Sequence, residues 1–154
     1  MVSIDFINLN KACPKVYFPL PRNDQLVDFT IGHELLSLMD AYYGYNQIKM
    51  HKPDQAKTIF KTNMGLYYCT IMSFGLKNAQ TTYQCLVNMM VFEQIGRTME
   101  VYIYVDDMLV KSKQVSDHVK NLKKSSDVLR KYKMRLNPKK CIWSSVWKIS
   151  RLYG

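Results

Sequence analysis

The sequence predicts an α+β domain, with helices packed against a mostly antiparallel sheet. Short alternating or continuously apolar segments bounded by turn formers recur along the chain, as strands do, and from Asn78 onward the apolar period changes to helical spacing. The 154 residues, 47% of them hydrophobic, suffice for one buried core without a disulfide or metal staple. No linker, repeat or low-complexity stretch divides the chain, so it reads as one unit.

In chain order, Val2-Ser3-Ile4-Asp5-Phe6 alternates like a half-buried strand. Pro14, Pro19 and Pro21 keep residues 13–21 extended, and Asn23 or Asp24 is placed to cap a short helix running towards Gly32. Leu35 to Met39 reads as a short buried strand ending on Asp40. Residues 57–61 and 66–72 read as two strands joined through Asn63-Met64-Gly65. Ala79, Tyr83, Leu86, Val87 and Met90 form one apolar helical face, which Gly96 ends. Residues 99–105 and 108–110 read as a β-hairpin with Asp106-Asp107 at its tip. Ser116 caps a second helix with Val119, Leu122, Ser126 and Leu129 inward. Asn137-Pro138 breaks it before a strand around Ile142-Trp143.

Composition excludes several classes. Four cysteines at 13, 69, 85 and 141 lack any Cys-x-x-Cys pair, so neither a zinc ribbon nor a disulfide framework is indicated. No signal-type segment opens the chain, no apolar window reaches membrane-spanning length and no glycosylation sequon occurs. These absences favour an intracellular protein that is not secreted and has no membrane partner. His33-Glu34 lacks the second histidine of a metalloprotease helix, since that position is Ser37, and isolated glycines exclude a phosphate-cradling loop.

Charge is unevenly placed. Residues 1–110 carry 9 Lys/Arg against 10 Asp/Glu, whereas residues 111–154 carry 13 against 2, so the net +10 belongs to the last segment. Such a segment suits a polyanion such as nucleic acid, or equally a solvated lysine-rich helix face.

Asp40, Asp106 and Asp107 all stand at the ends of apolar strand segments. If those strands are neighbours, three carboxylates converge at one sheet end with nothing nearby in sequence to neutralise them. Hard divalent cations such as Mg²⁺ suit oxygen ligands of this kind, and a metal pair suits phosphoryl transfer. Two adjacent aspartates alone are more simply turn formers.

At this point the residues resemble a known family. Tyr104-Val105-Asp106-Asp107 resembles the aspartate-pair hairpin of reverse transcriptases. Leu9-Asn10-Lys11-Ala12-Cys13-Pro14-Lys15 and Phe18-Pro19-Leu20-Pro21-Arg22 are similar to the opening of plant Ty3/gypsy retrotransposon polymerases. Met39 to Ile48 resembles their first catalytic motif, and Phe74-Gly75-Leu76-Lys77-Asn78-Ala79 with Thr82-Tyr83-Gln84 resembles the segment lining the nucleotide pocket. Leu136-Asn137-Pro138-Lys139-Lys140-Cys141 resembles the approach to the primer grip.

The resemblance implies a right-hand polymerase palm and RNA-directed DNA synthesis. Asp40, Asp106 and Asp107 would be the catalytic carboxylates holding two Mg²⁺ ions, with Mn²⁺ as substitute. Ala41, Tyr45, Phe74, Gly75 and Gln84 would bind the deoxynucleoside triphosphate, Tyr45 by closing space beside the sugar 2′-carbon. Tyr104 and Val105 would contact the primer. Lys111, Lys113, Lys123, Lys124, Lys139 and Lys140 would form the basic face towards an RNA or DNA template. Without that context, Tyr45 and Phe74 read as core aromatics and Gln84 as a surface helix residue.

The chain departs from the pattern at Ser73 and Gln80, where the family has proline (or glycine at the second), and at Tyr43, where it has a small residue. The expectation is a palm with partial fingers over residues 1–154, truncated at both ends, without thumb, ribonuclease H or integrase, and separated from the other segments of a Pol polyprotein. The alternative is an inactive remnant that at most binds nucleic acid through its basic C-terminal segment.

Overall fold

A computed structural model describes residues 4–18, 31–92, 100–104 and 107–145. The chain forms two compact units, one of residues 1–18 and 43–83, the other of residues 19–42 and 84–154. The divisions after Tyr42 and Tyr83 fall inside motifs, and only the one after Phe18 lies in a proline-marked stretch.

The second unit is built on a four-stranded antiparallel sheet. Its strands are β1 (Leu35–Asp40), β4 (Glu100–Tyr104), β5 (Asp107–Ser112) and β6 (Ile142–Ser145), in the order β4-β5-β1-β6. Each lies where the apolar runs predict. Both faces of the central strand β1 are covered: Leu36 is fully buried on one, and Ser37 and Met39 are buried on the other. Met108 and Val110 oppose Met39 and Ser37 in register, while Leu109 opposes Leu38.

Helix α4 (Val115–Lys131) packs on the Ser37 face, but in a register the apolar pattern does not foretell. Its buried residues are His118, Asn121, Ser125 and Leu129, whereas Val119 is 70% exposed and Leu122 and Ser126 are half-buried. Polar pairing decides the register. His118 bridges Ser37 Oγ and Ser112 Oγ through its two ring nitrogens at 2.8 Å each. Asn121 Nδ2 donates to Ser112 Oγ at 2.9 Å, and Ser125 Oγ donates to the Asn121 carbonyl at 3.2 Å. The sheet presents hydroxyls to this helix, and burying them unpaired would cost more than exposing one valine. The helix also starts at Val115 with Gln114 as its N-cap, so Ser116 is not the cap. Glu34, distant in sequence, supplies the capping carboxylate by accepting the Val115 N–H at 3.2 Å.

In the first unit α1 (Ile7–Ala12) follows an Asp5 carboxylate that accepts the Ile7 N–H at 2.8 Å. Asp5 and Phe6 are therefore helix lead-in, not strand as their alternation suggests. A short helix α2 (Lys52–Gln55) precedes a hairpin of β2 (Phe60–Thr62) and β3 (Gly65–Tyr67). The hairpin turns at Asn63-Met64 as expected, but its strands are shorter than predicted. Residues 56–58 form a 3₁₀ turn, and beyond Tyr67 only Ile71 pairs, as an isolated bridge to Lys49.

Helix α3 (Ala79–Val91) buries Ala79, Tyr83, Val87 and Met90, as its period predicts, while Leu86 of the same expected face is only half-buried. Gly96 and the expected cap at Asn23 or Asp24 lie outside the described residues. Among the described residues no helix is long and apolar enough to cross a membrane.

Candidate active site

β1 and β5 pair antiparallel, and the last pair of their ladder is Asp40 with Asp107. On the other side of β5, Tyr104 pairs with Asp107, so the expected hairpin exists. Val105 and Asp106 lie outside the described residues. Two of the three predicted carboxylate positions thus stand on neighbouring strands in direct register. Ala41, next along, is buried and bridges to Leu136.

The Asp40 carboxylate has a counter-charge, supplied from far along the sequence. Lys140 Nζ donates to its Oδ2 at 3.3 Å. The approach is built by backbone pairing: the Tyr42 N–H donates to the Arg135 carbonyl at 3.0 Å and the Asn137 N–H to the Asp40 carbonyl at 2.9 Å. Asn137-Pro138 then turns the chain. The Asn137 carbonyl accepts from the Lys140 N–H at 3.1 Å, and its Oδ1 from the Lys139 N–H at 3.2 Å. The 100-residue separation of the two partners hides this pair from any local reading. Among the described residues no three His, Cys, Asp or Glu side chains group closely enough to hold a metal.

Tyr45, Phe74 and Gly75 come together in the first unit. The Tyr45 ring lies 6.2 Å from that of Phe74, centroid to centroid. Phe74 is 80% exposed, so it is not a core aromatic. Gly75 has φ +94°, a conformation that a side chain rarely adopts, which explains why the turn presenting Phe74 needs glycine. Two of the sequence motifs meet here. Asn10 donates from Nδ2 to the Gly75 carbonyl and accepts the Lys77 N–H at its Oδ1, both at 2.8 Å. Lys77 Nζ donates to the Asn10 and Cys13 carbonyls at 3.1 and 2.7 Å. Asn78 accepts the Val16 N–H at 3.1 Å and donates to the Pro14 carbonyl at 2.9 Å. The loop is therefore clamped by the opening segment although Ser73 stands where proline is usual.

The same unit holds a largely apolar cleft of about 630 Å³ lined by Leu9, Ile48, Met50, Met72 and Leu76 among others. None of Tyr45, Phe74 and Gly75 lines it.

In the second unit Gln84 is 1% exposed, with Nε2 donating to Asn88 Oδ1 at 3.2 Å, so it is no surface residue. The basic positions divide. Lys113, Lys123, Lys139 and Lys140 are exposed and Lys124 is half-buried. Lys111 is buried at 5% exposure, and desolvation pushes its ammonium down to about 8. Its strand position opposite Leu36 puts it inside the sheet packing, so it does not belong to a solvent-facing basic surface.

These features can be set beside known proteins. The reverse transcriptase (RNA-dependent DNA polymerase) family profile matches residues 1–150. The Tf2-3 transposon polyprotein of Schizosaccharomyces pombe is 31% identical over 141 residues, covering 90% of this chain and 10% of that protein. The Pol polyprotein of the Drosophila melanogaster transposon gypsy is 31% identical over 137 residues, covering 89% and 13%. The chain thus spans roughly a tenth of the length of these relatives. A foamy viral protease-reverse transcriptase, solved with an RNA/DNA hybrid, shares the fold with a TM-score of 0.77 at 22% identity, over 89% of this chain and 18% of that one. The α+β palm, the in-register aspartates and a profile match over nearly the whole length agree: the chain belongs to the reverse transcriptase (RNA-dependent DNA polymerase) family, with LTR-retrotransposon polyproteins as its relatives.

Proposed function

We propose that this chain is the palm with partial fingers of an RNA-directed DNA polymerase from a Pol polyprotein of the plant Ty3/gypsy type, extending a primer on an RNA or DNA template with deoxynucleoside triphosphates. The observation that carries the reading is the register of Asp40 against Asp107 at the end of the β1–β5 ladder. In-register neighbours on adjacent strands share a sheet face, and like charges so placed are destabilising unless a cation lies between them. Asp40 contributes an oxygen donor held in the sheet wall, its side chain only 15% exposed. A hard-oxygen donor set suits Mg²⁺, or Mn²⁺ in its place, so the residues fit the ion.

In this reading Asp40, Asp106 and Asp107 hold two divalent ions. When bound, such a pair supplies Lewis-acid activation of the primer 3′-hydroxyl and neutralises charge on the departing pyrophosphate. The chain's own contribution is placement. Tyr104 and Val105 seat the primer end, while Ala41, Tyr45, Phe74, Gly75 and Gln84 shape the nucleotide pocket, with the Tyr45 ring excluding a 2′-hydroxyl. Support for the pocket comes from the exposed Phe74 and from the clamp that Asn10 and Lys77 place on its loop. Lys113, Lys123, Lys124, Lys139 and Lys140 contribute phosphate contacts from the second unit. The plant assignment rests on the opening motif segments.

The test is primer extension on an RNA template with Mg²⁺ or Mn²⁺, beside Asp106→Asn, with folding followed by circular dichroism. Incorporation by the parent and none by the folded variant is expected. Incorporation retained in the variant would sink the carboxylate assignment. A folded parent that binds template steeply with salt but incorporates nothing is the outcome of the second reading, a nucleic-acid-binding remnant, for which the exposed lysines speak.

A further inference from the structure

We infer that Lys140 is the resident counter-ion of Asp40: its ammonium occupies the carboxylate when no divalent ion is bound and sets the affinity with which one enters. This inference rests on the metal-site reading above.

Three observations carry it. The ammonium sits on Asp40 Oδ2 at 3.3 Å, and the segment that brings it there is tied to the end of β1 by backbone bonds to Tyr42 and Asp40. Lys140 is therefore delivered by the fold rather than reaching over by chance. The two partners differ sharply in exposure, 67% for the Lys140 side chain and 15% for that of Asp40. The carboxylate is the fixed part of a wall, while the ammonium sits at the end of a flexible, solvated stem and can return to water at little cost. The contact is also long and solvent-facing, the kind of pair that contributes little net free energy. Mg²⁺, by contrast, binds carboxylate oxygens at about 2.0–2.1 Å with twice the charge. The ammonium is thus strong enough to compensate Asp40 and weak enough to be displaced.

Lys139 supplies an internal comparison. It carries the same charge one residue away and is exposed, but its backbone N–H is held by Asn137 and no ion pair joins it to Asp40. An effect of overall positive charge would be shared by both lysines. An effect of occupancy belongs to Lys140.

The experiment measures Mn²⁺ binding to the full chain by the loss of the free-ion electron paramagnetic resonance signal, at fixed ionic strength, with circular dichroism to confirm folding. The parent, Lys140→Met, Lys139→Met and Asp40→Asn are compared. Lys140→Met is expected to lower the Mn²⁺ Kd by about two- to fivefold, the range of an exposed pair, and Lys139→Met by clearly less. Asp40→Asn should weaken binding relative to the parent. An unchanged or weaker Kd in Lys140→Met, or an equal gain in Lys139→Met, overturns the counter-ion role while leaving the metal site standing. Binding that is indifferent to Asp40→Asn, or absent from all four proteins, removes the metal site itself, and the inference goes with it.

Discussion

The Tyr45 ring stands edge-on to that of Tyr83, with centroids 5.3 Å apart and planes at 70°. Tyr83 is fully buried, and Gly44 lies directly against it: a Cβ added at Gly44 would come within 2.8 Å of Tyr83 Cε2. Atoms of a buried ring cannot step aside as a flexible side-chain end would. Gly44→Ala should therefore destabilise the chain by about 1–3 kcal/mol, as other overpacked sites do. A denaturation midpoint equal to that of the parent would show that the ring has room to move. Because Tyr45 is the next residue, the same substitution should disturb the proposed sugar filter.

Helix α4 ends without glycine. Lys133 has φ +57°, its N–H donates to the Arg130 carbonyl at 3.0 Å, and the Met134 N–H reaches back to Leu129 at 2.8 Å. That is the six-to-one and five-to-two pattern of a Schellman ending, with lysine in the left-handed position. A side chain there costs about 1–2 kcal/mol, part of which glycine returns through its freer unfolded state. Lys133→Gly should stabilise the chain by about 0.5–1 kcal/mol. Thermal unfolding of the two proteins checks it, and a lower midpoint for the variant would contradict the strain.

His118 predicts a pH dependence. Burial among Ser37, Ser112 and the helix holds its imidazole below the ordinary 6.5, because the charged form loses its water. The unfolded chain then binds the proton more readily than the folded one. The stability carried by this group is complete above about 6.5 and is lost as pH falls through the lower folded value. Chemical denaturation from pH 7.5 downward should show the decline. His118→Gln should flatten it, at the expense of lower stability at neutral pH where the hydroxyl bridge is broken. An equally steep decline in that variant would assign the proton uptake elsewhere.

Much of the sheet is legible in the sequence because strands announce themselves by local apolarity. β1 ends on Asp40 and β6 follows Asn137-Pro138, each where composition places it, while β5 begins at Asp107, one residue before its apolar run. That β1 and β5 are neighbours enters as a condition, and the ladder satisfies it. What escapes is set by partners distant in sequence. The Glu34 cap, the Lys140–Asp40 pair and the burial of Lys111 each depend on a residue that no window contains. Short α1 escapes for another reason: six residues carry too little periodicity to compete with the alternation before them. The α3 face is legible where its buried residues are apolar, as Tyr83 and Val87 are, and escapes at the buried Gln84. The α4 face is not, because hydrogen bonding to Ser37 and Ser112 outranks hydrophobicity there.

That difference gives the last prediction. If apolarity ruled α4, Val119 and Leu129 would both be buried and both truncations would be costly. In the structure Leu129 is 3% exposed and Val119 is 70% exposed. Leu129→Ala should cost about 2–5 kcal/mol, the usual toll of a cavity left in a core. Val119→Ala should stay within about 0.5 kcal/mol, as an exposed helix position does. Ser125→Leu should join the costly class, since 4% exposure leaves no space for the added volume. Urea midpoints for the three variants decide the register. A loss at Val119 as large as that at Leu129 would rotate the helix back to the face its hydrophobic residues suggest, and the His118 bridge would then have to be abandoned with it.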